Sequence, residues 1–204
     1  MSITFTKLHG LGNDYLFIDT TRHAVGDPAG LARRISHRHL GAGADGIILV
    51  MPGDEHPFRM RIFNADGSEA ETCGNGIRCF AKYVVERGMT DADTFIIETL
   101  AGPNEVRCAV DAGKVTAVRS NMGTPRFERA RIPMEGPAGE VKEEPIEVPG
   151  EAGMRVTCVN IGNPHAVFFV EDATAVDLAR IGPKVERHPR FPERTNVEFV
   201  HVRD

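Results

Sequence analysis

The chain has no tryptophan, two tyrosines and four cysteines among 204 residues. None of the cysteines forms a Cys-x-x-Cys pair, and their spacing does not suit a zinc site. Four cysteines in an intracellular chain of this length do not make a disulfide framework. No apolar run reaches the ~20 residues a membrane helix needs, so no membrane partner is expected. The N-terminal MSITFTKLHG lacks a basic start and an apolar core, so it does not read as a signal peptide, and a cytoplasmic location is expected. There is no excess of basic residues. The net charge of −5 argues against nucleic acid as the main partner. What remains is 41% hydrophobic and 26% charged, enough for one large domain or two small ones.

Most of the chain reads as short strands. Ile3–Thr6 and Phe58–Phe63 alternate, Tyr15–Asp19 and Gly46–Val50 are apolar runs, and Asp66-Gly67 is a turn signal. Further strands are predicted over 94–100, 105–110, 114–120, 154–160, 166–170 and 196–202. Asp27-Pro28 combines an N-cap with a first-turn proline and opens a helix expected to reach about Leu40. A second helix runs from Asn75 to Arg87, its apolar face formed by Ile77, Phe80, Ala81, Val84 and Val85. A third is predicted from Val176 to Arg187, with an interruption at Gly182-Pro183. Residues 134–152, rich in Pro, Glu and Gly, read as a connector.

Cys73 lies in Glu71-Thr72-Cys73-Gly74-Asn75-Gly76-Ile77-Arg78-Cys79-Phe80. The glycines leave the backbone open around the thiol. A cysteine at a helix N-terminus meets unpaired N–H groups and the positive end of the dipole. That setting lowers a thiol from about 8.5 and favours a thiolate able to act as nucleophile or carbon-acid base. Cys108 and Cys158 alternate with apolar neighbours and belong to the core, and Cys79 packs from the Cys73 helix. Two other motifs resolve to ordinary structure. Gly41–Gly46 matches G-x-G-x-x-G but follows a helix and precedes a strand, the reverse of a dinucleotide site. His37 and His39 have no further ligands at metal spacing, so no metal is expected.

An internal repeat organises the rest. Leu11-Gly12-Asn13-Asp14-Tyr15-Leu16-Phe17 resembles Ile161-Gly162-Asn163-Pro164-His165-Ala166-Val167, 150 positions later. Leu31-Ala32-Arg33 recurs as Leu178-Ala179-Arg180, and strand 46–50 as strand 196–200. Continued, the second copy would carry a cysteine near position 223, beyond Asp204. Two such cysteines facing one cleft suit inversion of a stereocentre without a cofactor: a thiolate takes a proton from one face of a carbon and a thiol returns one to the other.

Five runs carry a resemblance to a known family: Lys7–Tyr15; Asn64-Ala65-Asp66-Gly67-Ser68-Glu69; Cys73–Cys79; Gly162-Asn163-Pro164-His165; and Phe191-Pro192-Glu193-Arg194-Thr195-Asn196. In this order they resemble the diaminopimelate epimerases, PLP-independent enzymes that interconvert LL- and meso-diaminopimelate on the lysine and peptidoglycan route. The resemblance implies that Cys73 is one of two catalytic cysteines. It implies that Asn13, Asn64, Asn163 and Asn196 hold the substrate's amino and carboxylate groups, and that Gly74 and Asn75 offer backbone N–H groups to a carboxylate. It also implies no cofactor, a diaminopimelate substrate and a homodimer. Family members continue into a Glu-Arg-Gly segment and a second Cys-Gly-Thr/Ser-Gly helix, so this chain is expected to be an epimerase shortened at its C-terminus. Gly46 stands where some members place a glutamine near the substrate. An inert fragment or amino-acid-binding module of the same architecture is the reading from a different class; proline racemase and a phenazine-type isomerase are siblings. The expected fold is α+β: two pseudo-symmetric domains, 1–120 and 121–204, each wrapping antiparallel strands around a central helix, the second incomplete.

Overall fold

Residues 3–203 are described by a computed structural model, and the chain divides into two compact units, Met1–Met122 and Gly123–Asp204. The first contains β1 (Thr6–Gly10), β2 (Asn13–Asp19), α1 (Pro28–Ile35), β3 (Gly46–Pro52), β4 (Phe58–Asn64) and the two-residue β5 (Glu69–Ala70). It continues with α2 (Gly74–Glu86), β6 (Thr94–Thr99), β7 (Gly102–Asp111) and β8 (Lys114–Ser120). The strands form one sheet in the order β1-β2-β3-β4-β6-β7-β8, with β5 beside β4. Most pairings are antiparallel; β2–β3 and β4–β6 are parallel.

The two-residue period of a strand decides which side each residue faces. Tyr15, Phe17, Ile48, Val50, Met60 and Ile62 point to one face and pack with Ile77, Phe80, Ala81 and Val84 of α2. Leu16, Ile18, Ile47, Leu49 and Phe63 point to the other and pack with Leu31 and Ala32 of α1. α2 touches β1 and β8, the two edges of the sheet, so the sheet curls around it. Phe80, fully buried at its centre, contributes about 1.5–3 kcal/mol by burial alone.

The second unit contains a 3₁₀ turn (Arg129–Arg131), β9 (Glu144–Pro145), β10 (Arg155–Asn160), β11 (Pro164–Phe169), a second 3₁₀ turn (Ala173–Ala175), α3 (Leu178–Glu186) and β12 (Asn196–Val200). Its sheet runs β12-β11-β10-β9. Ala166, Phe168, Val156 and Cys158 pack against Ile181 and Val185 of α3.

The internal repeat is a repeat of topology and register. In both units an antiparallel hairpin (β1–β2, β10–β11) is followed by a helix and then by a strand parallel to the hairpin's second strand. Tyr15 pairs with Gly46, and His165, 150 positions later, pairs with Asn196. The hairpin turns share a positive-φ glycine, Gly12 at 91° and Gly162 at 115°, where a side chain would be strained. Among the described residues the second unit has no counterpart of α2.

The expectations need correction in four places. α1 stops at the Ser36 C-cap instead of about Leu40, because residues 37–43 fold back: Gly41 N–H donates to His37 C=O, and Gly43 N–H to Ile35 C=O. The first strand begins at Thr6, not Ile3: its pairing with β2 runs from Thr6 opposite Phe17 to Gly10 opposite Asn13. α3 runs unbroken through Gly182-Pro183. The connector 134–152 contains the short strand β9 and buries Met134, Val141, Ile146 and Val148, so its few apolar residues anchor it to the core.

Candidate active site

Cys73 is the N-cap of α2, in extended geometry (φ −151°, ψ 109°). Its half-buried sulfur accepts from Gly76 N–H at 3.3 Å, and its S–H donates to Asn13 Oδ1 at 3.4 Å. One contact suits the thiolate and the other the thiol, so both protonation states of an acid–base group find a partner. The first intrahelical bond behind it is Ile77 N–H to Cys73 C=O, 2.8 Å. The helix itself therefore leaves the N–H groups of Gly74 and Asn75 unpaired, a geometry suited to an anion. The Asn75 side-chain oxygen is taken by Arg78, whose guanidinium also donates to Gly74 C=O at 3.0 Å.

Asn13 opens β2 and Asn64 closes β4. Asn64 sits opposite Gly46 in the β3–β4 register, and its amide donates to Ser68 Oγ at 3.0 Å. Asp45 ties the two together. Its Oδ2 accepts from Asn13 Nδ2 at 2.8 Å and from Asp14 N–H at 3.0 Å, and its C=O accepts from Ala65 N–H at 2.8 Å. Arg38 bridges Asp45 (2.9 Å) and Asp14 (2.8 Å), and Lys7 pairs with Asp14 at 3.0 Å. The Arg38 guanidinium, then Lys7, hold the Asp14 carboxyl well below the ordinary range against the opposing effect of burial. Tyr15 lies against Asn13 and Cys73; burial first, and then the Cys73 sulfur, push its phenol upward.

In the second unit, Asn163 and Asn196 gather around His165. The Asn163 Oδ1 lies 2.9 Å from His165 Nε2, and Glu198 Oε1 lies 2.7 Å from Nδ1. Asn196 Nδ2 donates to Pro164 C=O at 3.0 Å. The expected residues thus form two clusters: Cys73, Asn13, Asn64, Gly74 and Asn75 in the first unit, Asn163 and Asn196 in the second.

Cys79, Cys108 and Cys158 are buried, and burial raises each thiol, Cys158 to about 12. Among the described residues no group of His, Cys, Asp or Glu is arranged to hold a metal ion. Among the described residues no helix is long and apolar enough to cross a membrane. A groove of about 620 Å³ beside Met51, Arg59 and Glu98 does not include Cys73, and of its charged residues Asp54, Arg59, Arg61, Glu69 and Glu98 are engaged in ion pairs with one another.

Sequence reasoning missed Asp45, Arg38 and Tyr15. In the sequence Asp45 is legible only as part of a glycine run, Arg38 only as part of the stretch expected to be helical to about Leu40, and Tyr15 as one more apolar strand residue.

The model of the family described as diaminopimelate epimerase matches residues 5–128 and 157–204. The chain belongs to the diaminopimelate epimerase family. A diaminopimelate epimerase of Moorella thermoacetica is 54% identical over 199 residues, covering 97% of this chain and 71% of the relative. The family's enzymes are isomerases. Among solved structures, a phenazine biosynthesis protein of the PhzF family from Bacillus anthracis superposes with a TM-score of 0.64 at 18% identity, covering 99% of this chain and 67% of its own. A probable proline racemase from Agrobacterium radiobacter K84 gives 0.61 at 17%, covering 97% and 66%. These two establish the fold, α+β with two pseudo-symmetric domains, and nothing finer.

Proposed function

We propose that this chain carries one half of a two-thiol acid–base pair that inverts the α-carbon of diaminopimelate without a cofactor, with Cys73 as the base or acid on one face. The observation that carries the reading is the Cys73 sulfur at the α2 N-cap, placed between an N–H donor and an amide acceptor. In the forward step the thiolate takes the α-proton. An S–H bond forms, the C–H bond breaks, and the electron pair passes into the substrate carboxylate. The N–H groups of Gly74 and Asn75 are placed to stabilise the doubly charged carboxylate that results. A second acid then delivers a proton to the opposite face. Cys79, Cys108 and Cys158 do not qualify, because each is buried and its thiol raised.

Asn13 and Asn64 from the first unit, and Asn163 and Asn196 from the second, would bind the amino and carboxylate groups of the substrate. Neutral amides do so without disturbing the charge of the thiols. The same reading includes two epimerase-like domains, 1–120 and 121–204, a homodimer and a cytoplasmic location.

The test is deuterium uptake at Cα of LL- and meso-diaminopimelate in D₂O. Exchange that disappears in Cys73→Ala supports a working base. Exchange that survives in Cys73→Ala overturns the assignment. Exchange with full inversion would show that the second acid also lies within these 204 residues. Absence of exchange in the unmodified chain would favour an amino-acid-binding module or an inert fragment.

A further inference from the structure

We propose that Asp45 is a positioning residue that fixes the Asn13 amide with its oxygen toward Cys73, so that Asn13 favours the thiol form of the sulfur over the thiolate. The argument starts from donors and acceptors. An ionised carboxylate can only accept hydrogen bonds. Asp45 Oδ2 lies 2.8 Å from the Asn13 amide, so the atom facing it must be Nδ2. The amide is planar, and Oδ1 is therefore forced to the other side, where the Cys73 sulfur lies 3.4 Å away. A carbonyl oxygen accepts from S–H and repels S⁻. With the amide reversed, Nδ2 would donate to the thiolate.

Asp45 is itself held. Its Oδ1 accepts from Arg38, which also grips Asp14, and Asp45 N–H donates to Asp14 Oδ1 at 3.1 Å. The carboxylate cannot rotate away without giving up its bonds to Arg38 and to Asp14 N–H. The repeat adds a contrast. The counterpart of Asp45, 150 positions later, is Thr195, whose hydroxyl donates to Asn196 C=O at 3.0 Å. Asn163 has its amide oxygen directed at His165. The two halves share a register, but only the first has an acidic lock on its asparagine.

The groups around Cys73 that can contribute to its titration are Tyr15 on β2, Cys79 and Arg78 on α2, and the Asp45–Arg38–Asp14–Lys7 array behind Asn13. The proposal concerns the same cysteine as the proposed function, but its test needs no substrate. It can therefore fail while the deuterium exchange succeeds, and the reverse.

The experiment is the pH dependence of Cys73 alkylation by iodoacetamide in the full chain, with mass mapping of the modified cysteine. In Asp45→Ala the amide is released, and the midpoint is expected to fall by about one pH unit, roughly tenfold faster alkylation below the midpoint. Asn13→Ala alone should also lower it. Asp45→Ala added to Asn13→Ala should change nothing further, since the lock then has nothing to hold. An unchanged midpoint in Asp45→Ala, or an equal shift in both backgrounds, overturns the proposal. If Asp45→Ala does not fold, Asp45→Asn, which can either donate to or accept from Asn13, should shift the midpoint in the same direction. An unshifted midpoint in Asn13→Ala, which leaves Asp45 in place, overturns the proposal whatever the Asp45 variants do.

Discussion

Gly46 is enclosed by backbone. A Cβ built there would lie 2.2 Å from Phe63 O and 3.0 Å from Asn64 Cα. Both belong to β4, and Asn64 is the residue paired with Gly46. The missing side chain lets the end of β4 approach β3 closely and thereby sets where Asn64 stands. Gly46→Ala must part the two strands and is expected to cost about 1–3 kcal/mol, as overpacking does. Gly46→Gln should cost at least as much, and should not create a new polar contact without moving Asn64. Urea midpoints of the two variants check this; an unchanged midpoint for either would show that the strand end yields freely. The same scale shows what could be read without a structure. Cys73 was legible because flanking glycines and a helical pattern together mark a helix N-terminus. The family motifs supplied the asparagines. Asp45 was not legible, because its role depends on the parallel pairing of β2 with β3, which brings residues 13 and 45 together across 32 positions.

At the scale of elements, β6 holds the β3–β4 loop through one carboxylate. Glu98 accepts from the backbone N–H groups of His56 (2.9 Å), Asp54 (3.0 Å) and Glu55 (2.7 Å), and from Arg59. These N–H groups, His56 first, lower the Glu98 carboxyl to about 2. A depressed carboxylate contributes stability that is present above its unfolded pKa of about 4.3 and is lost as pH falls through the folded value. Glu98→Gln should therefore melt below the unmodified chain at pH 7, and the gap should close between pH ~4 and about 2. A gap independent of pH would mean that packing, not charge, joins β6 to the loop. In the sequence Glu98 is legible only as part of a strand, since no local pattern reveals that one side chain will cap a loop more than 40 positions away. Element type was easier to read. Period-two alternation located β4, and Asp27 caps α1 through Gly30 N–H at 2.8 Å. The end of α1 is not legible in the sequence because residues 37–40 lack a helix breaker before Gly41, and the fold-back that stops the helix is set by hydrogen bonds from Gly41 and Gly43.

At the scale of the molecule, each unit has its own interior. The first unit buries two layers, one on each face of its sheet, and the residues of both layers lie within the first 122 positions. The second has one core cluster, its buried members lying within residues 132–191, with Val197 and Phe199 packed against it. A domain of about 120 residues buries roughly two-thirds of its unfolded surface, while one of about 80 is closer to the margin. A fragment of residues 1–122 is therefore expected to fold by itself. It contains Cys73, Cys79 and Cys108, and only Cys73 is not fully buried. The native fragment should show one fast-reacting thiol, and three once denatured. A cooperative urea transition together with that one-to-three change would establish that α2 and its sheet shape the Cys73 site without the second unit. Three thiols reacting alike, or a melt without cooperativity, would show that the first unit depends on residues beyond 122 for its order. The α2 N-cap would then be a property of the whole chain rather than of the sheet that curls around it.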